Sequence, residues 1–120
     1  MDCIFCKIIK GDIPSYTIYE DDIVKVFLDV NPMSPGHMLI IPKKHFENLD
    51  DIDIDTLTHI NKIAKKMYIL LKEKLNIDGM SIMQNNGDVQ EVKHYHLHLI
   101  PFYQDGFSKS VEEVYEILTH

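Results

Sequence analysis

His94-Tyr95-His96-Leu97-His98-Leu99-Ile100 decides how the chain is read. Histidines stand at alternate positions with aromatic and aliphatic residues between them, the period-2 pattern of a half-buried β-strand. Side chains alternate across a strand, so His94, His96 and His98 share one face while Tyr95, Leu97 and Leu99 share the other. Imidazoles titrate near neutrality and serve as nucleophile, proton donor or metal ligand. A solvated polar face or a purely metal-binding tract would give the same alternation. Three imidazoles in so short a run favour chemistry.

The flanking sequence supplies a frame for this strand. Residues 111–118 carry apolar positions 111, 114, 115 and 118, a short amphipathic helix begun by Ser108 or Ser110. On the N-terminal side, Asn85-Asn86-Gly87-Asp88 is a turn and residues 80–84 a strand. Residues 53–75 form the clearest helix: Leu57, Ile60, Ala64, Met67, Leu71 and Leu75 recur at i+3 and i+4, with Asp53 or Asp55 as cap and Asn76 and Gly79 as terminators. A second line through Ile63, Ile69 and Leu70 widens its apolar surface, either as a broad core face or as a subunit contact. Strands are expected over 16–20, 23–28 and 37–42, separated by Asp21-Asp22 and by the Pro- and Gly-containing loop 31–36. Residues 3–10, closed by Gly11, form a short helix or turn. Strands gathered around one long helix, without βαβ alternation, give an α+β domain with an antiparallel sheet, a single domain over residues 1–120.

Composition narrows the function. At 120 residues and 45% hydrophobic content the chain can build one modest core, which pairing with a second copy would help. The formal charge of −7 argues against a nucleic-acid backbone as partner. A small anionic substrate is compatible, because clustered imidazoles and backbone N–H groups oppose the global field locally. No apolar run approaches the roughly 18–20 residues needed to cross a bilayer, and no signal-peptide pattern opens the chain, so a cytoplasmic protein without a membrane partner is expected. Cys3 and Cys6 stand in C-x-x-C spacing, which in that compartment stays reduced or holds a metal.

The His-φ-His-φ-His-φ-φ run resembles the signature of the histidine triad (HIT) family of nucleotide hydrolases and transferases. The resemblance extends through Cys3-Ile4-Phe5-Cys6-Lys7-Ile8-Ile9, Ile13-Pro14-Ser15, Phe27-Leu28-Asp29, Pro35-Gly36-His37 and Ile40-Ile41-Pro42-Lys43-Lys44-His45, and ends near Pro101. It resembles bacterial-type members with an N-terminal C-x-x-C, close to the Hint-like branch. It implies a five-stranded antiparallel sheet with one long and one short helix, paired into a homodimer.

The resemblance also implies roles. His96, the middle histidine, is the nucleophile that attacks the α-phosphorus of a nucleoside-monophosphate conjugate and carries the nucleotidyl group until water removes it. His98 and His37 join it as active-site histidines, and Gln90 donates to a phosphate or bridging oxygen. Phe27, Leu28, Asp29 and Val30 form the ribose and base pocket, covered by Ile4, Phe5 and Ile8, with Asn85 as a phosphate or ribose contact. The ligand is a purine nucleotide or its conjugate. Cys3, Cys6, His45 and His94 would hold a structural zinc. Two positions depart from the family pattern: Val89 stands where glycine is usual, and Glu91 replaces a hydroxyl. A carboxylate beside a phosphate is repulsive, so leaving-group preference is expected to differ. The alternatives are a dinucleoside polyphosphate hydrolase and a nucleotide-binding or protein-interaction module with weak catalysis.

Overall fold

The stripe along residues 53–75 folds as a 22-residue helix, Ile54–Leu75, whose first turn is capped by the Asp53 carboxylate accepting from the Thr56 N–H. Asn76 ends it in the left-handed region, as a small polar residue can. In this computed structural model, which describes residues 3–120, the order is α1 (Ile4–Lys10), β1 (Thr17–Glu20), β2 (Val24–Leu28), β3 (Met38–Pro42), α2 (Ile54–Leu75), β4 (Gly79–Met83), β5 (Leu97–Phe102) and α3 (Val111–Thr119). The five strands form one antiparallel sheet in the order β1-β2-β3-β5-β4. The expected sheet, long helix and short C-terminal helix are all present, the last opened by a Ser110–Glu113 capping box. The N-terminal segment is a third helix rather than a turn.

Alternation along the central strands explains the layers. Val24, Val26, Leu28, Met38, Ile40, Leu97 and Leu99 pack on one face against Ile60, Ala64, Met67 and Leu71 of α2 and Val114 and Leu118 of α3. Phe27, Leu39 and Ile41 point to the opposite face, where Phe5 and Ile8 of α1 cover them. β2 and β3 are therefore buried on both faces. The register sets Phe27 opposite Leu39 and Leu39 opposite His98. The second face thus runs from the α1-covered apolar patch straight to the histidines.

The triad strand begins three residues later than its alternation suggests: β5 starts at Leu97. Ile40 pairs with Leu97, and the same register would set Pro42 opposite Tyr95. Proline has no N–H to extend the ladder. The Tyr95 N–H instead donates to the Phe46 carbonyl at 2.7 Å, and His94 turns toward the segment after β3.

Ile63 is buried and Leu70 half-buried in the core, leaving Ile69 of that line exposed; the second line is mostly core. His59 of α2 is half-buried and meets Asp21 Oδ2 at 2.7 Å, an oxygen that also accepts from the Tyr19 hydroxyl. Burial raises the Asp21 carboxyl, but hydrogen bonds from His59, the Val24 N–H, Tyr19 and the Ile23 N–H outweigh it and hold the group far below the carboxylate range. This cluster ties the β1–β2 turn to α2.

The loop before β3 is closed by a turn in which the His37 N–H donates to the Ser34 carbonyl at 3.1 Å. Pro35 followed by Gly36 at φ +91° suits a type II turn. A Cβ on Gly36 would lie 2.9 Å from Leu71 Cδ2 and 3.0 Å from Leu75 Cδ1, so glycine serves both the dihedral and the contact with α2. Gly36→Ala should cost about 2–4 kcal/mol, from positive-φ strain plus overpacking. Denaturant unfolding of the two proteins measures it; an unchanged midpoint would show that the turn relaxes freely.

Candidate functional site

Backbone groups, a carbonyl at His96 and an N–H at His37, decide which nitrogen of each ring carries its proton. His96 Nδ1 lies 2.7 Å from the His94 carbonyl oxygen; an oxygen there can only accept, so Nδ1 bears the hydrogen and Nε2 keeps its lone pair. At His37 the logic reverses. The Met33 N–H donates to His37 Nδ1 at 3.0 Å, which puts the His37 proton on Nε2. That proton faces His98 Nδ1 at 2.9 Å, with Asp29 Oδ2 at 3.6 Å. His98 Nδ1 is then an acceptor, and His98 presents an Nε2–H donor. Burial, reinforced by His96 and His37, pushes His98 down to about 4; burial also lowers His37, with Asp29 opposing. His98 is thus a neutral donor at pH 7, its ring centroid 5.0 Å from that of His96.

A cleft of about 360 Å³ opens beside these two rings, within the range of small-ligand sites. Ile4, Phe5 and Ile8 of α1 form one wall, Phe27, Leu28, Asp29 and Val30 another, and His96 and His98 the floor. Phe5 is the hinge of this arrangement: its ring meets Phe27 at 5.8 Å, His96 at 5.0 Å and His94 at 5.8 Å, all edge-on. Asp29 Oδ1 accepts from the Asn31 N–H at 2.8 Å. Its backbone N–H donates to the His37 carbonyl, continuing the β2–β3 register so that both side chains share the histidine face.

Three expected members do not line the cleft: Gln90, Asn85 and His37, the last buried behind His98, whose Nδ1 accepts its Nε2–H. Gln90 is buried with both ends engaged: its oxygen accepts from the Gly87 N–H and from Asn48 Nδ2, and its Nε2 donates to the Glu47 and Val92 carbonyls. An amide has two donors and two acceptor lone pairs, so none is left for a phosphate, and Gln90 acts as a strut for the loop before the triad. Asn85 also lies outside the lining. Glu91 lines the cleft, as its place beside the phosphate implies, and Ile13, Pro14, Ser15, Asn31, Leu39 and Val92 line it without having been singled out as contacts. Leu39 was recoverable, since strand alternation puts it on the face of Phe27.

The second cluster is built around α1. Cys3 caps this helix, its sulfur accepting from the Cys6 N–H. Cys6 Sγ lies 3.2 Å from His45 Nδ1 and 3.6 Å from His94 Nδ1; Cys3 Sγ lies 3.3 Å from His94 Nδ1; the two Nδ1 atoms are 3.1 Å apart. All four ligand atoms fall within 4.8 Å of one another. Tetrahedral zinc, with bonds of about 2.3 Å to sulfur and about 2.0–2.1 Å to nitrogen, implies edges of about 3.3–3.8 Å. His94 Nε2 donates to the Pro42 carbonyl at 2.9 Å, so its Nδ1 has a lone pair to give, and burial holds its pKa down to about 4. The donors fit a closed Cys2His2 site. Asp29, His37 and His98 also converge, but the Met33 N–H occupies His37 Nδ1 and leaves a proton, not a lone pair, on Nε2.

The same architecture occurs in known proteins. The HIT domain profile matches residues 10–105. A HIT-like protein of Methanocaldococcus jannaschii is 51% identical over 107 residues, 87% of this chain and 82% of its own. The adenosine 5′-monophosphoramidase of Saccharomyces cerevisiae is 46% identical over 101 residues, 82% of this chain and 61% of that enzyme. Among solved structures, a Zn-bound histidine triad family protein from Mycobacterium smegmatis matches with a TM-score of 0.91 at 33% identity, over 99% of this chain and 91% of that chain.

Proposed function

The chain belongs to the HIT domain family, and from that premise we propose that it is a nucleotidyl hydrolase of nucleoside 5′-monophosphate conjugates, phosphoramidates above all. The observation that carries this reading is the free lone pair of His96 Nε2, fixed by the bond from Nδ1–H to the His94 carbonyl. The nucleoside lies against Phe5 and Phe27, and Asp29 accepts from the ribose hydroxyls. His96 Nε2 bonds to the α-phosphorus while the bond to the leaving nitrogen breaks. That nitrogen departs with the electron pair and takes a proton from solvent. His98 Nε2–H holds the negative phosphoryl oxygen. Water then bonds to phosphorus, gives a proton back to solvent, and the P–N bond to His96 breaks, restoring the lone pair.

Charge favours a phosphoramidate over a dinucleoside polyphosphate. Among the described residues lining the cleft there are two carboxylates, Asp29 and Glu91, and no lysine or arginine. A polyphosphate bridge needs cations that this lining does not supply. Incubation with adenosine 5′-phosphoramidate and with a diadenosine polyphosphate tests the choice: release of AMP chiefly from the first is expected. Binding of AMP without turnover of either would favour a binding module.

Zinc is the metal proposed for Cys3, Cys6, His45 and His94. When bound it cross-links α1 to the sheet, and four protein ligands leave it no open position for Lewis-acid work. We further propose a homodimer. β4 is a sheet edge with Ile82 and Met83 exposed, and Tyr68 of α2 shares a shallow groove with Met80 and Ile82. Two copies meeting about a two-fold axis would cover this groove and hide the edge. Light scattering at micromolar concentration should give twice the chain mass, and Tyr68→Asp combined with Ile82→Lys should give a folded monomer. A monomeric wild-type protein would rule this assembly out.

A further inference from the structure

Glu91 is the one charged side chain of the cleft that the reading so far leaves without a task. Asp29, the other carboxylate, is held by the Asn31 N–H and faces His37. Glu91 lines the cleft together with His96 and His98, and no hydrogen bond or ion pair joins its carboxylate to another described residue. Its backbone, by contrast, is fixed on both sides. Gln90 spends its four hydrogen bonds on Gly87, Glu47, Asn48 and Val92, and Val92 packs into the apolar patch of Phe5, Phe27 and Leu39. A carboxylate is therefore presented to the cleft on a braced segment. The lining offers no cation to neutralise it.

We infer that Glu91 is a specificity-determining residue that favours leaving groups carrying a positive charge. The substrate class is then a nucleoside 5′-monophosphate joined through nitrogen to an amine that bears a second, protonated amino group. The inference rests on the proposed phosphoramidate reaction and names its leaving group. The chemistry is unchanged: the P–N bond breaks, the His96 Nε2–P bond forms, and the departing nitrogen keeps its electron pair and gains a proton from solvent. The remote ammonium does not react. It neutralises a carboxylate that would otherwise repel the phosphate, whereas an anionic leaving group adds a fourth negative charge to those of the phosphate, Asp29 and Glu91.

Three adenosine 5′-phosphoramidates separate the outcomes, made from 1,4-diaminobutane, butylamine and 4-aminobutanoate. Their reacting nitrogens are similar and their far ends are cationic, neutral and anionic. The wild-type protein should prefer the cationic over the anionic conjugate by on the order of 10-fold in kcat/KM, the scale of one charge pair a few ångströms apart in partly solvated surroundings. Glu91→Gln should remove most of that ratio and Glu91→Lys should reverse it. Added salt should narrow the wild-type ratio, because an exposed charge is screened. Because each variant is judged by a ratio among three substrates, a general loss of activity does not imitate the effect. Equal rates for all three conjugates, or a preference unchanged in both variants, would overturn the role of Glu91 while leaving the reaction intact. Failure to release any of the three amines would remove the reaction, and this inference with it.

Discussion

His96→Asn should abolish turnover while preserving nucleotide binding. Asparagine can still donate from its amide to the His94 carbonyl that now holds His96 Nδ1, so the floor of the cleft keeps its support, but it has no nucleophilic nitrogen. Loss of a general acid–base group costs roughly 10²–10⁴-fold, and loss of the covalent route should cost at least the upper end of that range. Asp29, Phe5 and Phe27, which line the nucleoside end of the cleft, are untouched, so the Kd for AMP should move little. Turnover of adenosine 5′-phosphoramidate and calorimetric titration with AMP measure the two quantities. A variant that hydrolyses within tenfold of wild type would end the nucleophile assignment. An acid-labile adenylate adduct on the wild-type protein, absent from His96→Asn, would support it directly.

Removing the proposed zinc should have the second large effect, and it should reach the proposed nucleotide site. α1 has seven residues, well short of the roughly 12–15 at which an isolated helix becomes even marginal. It is held by Cys3 and Cys6 at one end, by packing of Phe5 and Ile8, and by the Lys25 ammonium on the Ile8 carbonyl at 3.3 Å. The same helix supplies Ile4, Phe5 and Ile8 to the cleft. Cys3→Ser combined with Cys6→Ser should therefore lose about one zinc per chain, the stoichiometry of one closed site, and melt lower by on the order of 10 °C. AMP affinity should fall by about 5-fold or more, and AMP should by the same factor slow the loss of zinc to a competing chelator, because coupling between two binding equilibria is reciprocal. Protein that is metal-free as isolated, and whose melting temperature and AMP affinity ignore chelation, would exclude the site.

The elements were legible where one period and one boundary residue agreed. The stripe from Leu57 to Leu75 with Asp53 before it, and the run 111–118 after Ser110, specify helices without reference to the rest of the chain. The Cys-Cys-His-His cluster and the cleft residues of β2 came from the resemblance, and the structure brings them together. What stayed hidden depended on partners distant in sequence. Nothing in the text around Tyr95 reveals that the unpaired position opposite it is Pro42. Gln90 has the chemistry of a phosphate donor, and only the carbonyls of Glu47 and Val92 show that it is already engaged. His59 looks solvent-facing on its own helix until Asp21 is placed beside it. A broad apolar helix likewise does not say which rim is covered, which is why Ile63 proves to be core and Tyr68 the exposed neighbour of β4.

The strand order β1-β2-β3-β5-β4 has a consequence for how the molecule reaches its native state. β5 is the last strand in sequence, yet it lies inside the sheet, between β3 and β4. Until it docks, β3 keeps an open edge and β4 has no sheet neighbour at all. Contacts that join residues so far apart, such as Cys3 with His94, form slowly because a long loop must close first. The segment leading into this late strand carries His96, the proposed nucleophile, and His94, a proposed metal ligand. Partly folded chains would thus combine an exposed edge with an absent active site, so refolding yield should depend on protein concentration, and recovery of activity should coincide with the final, slowest phase.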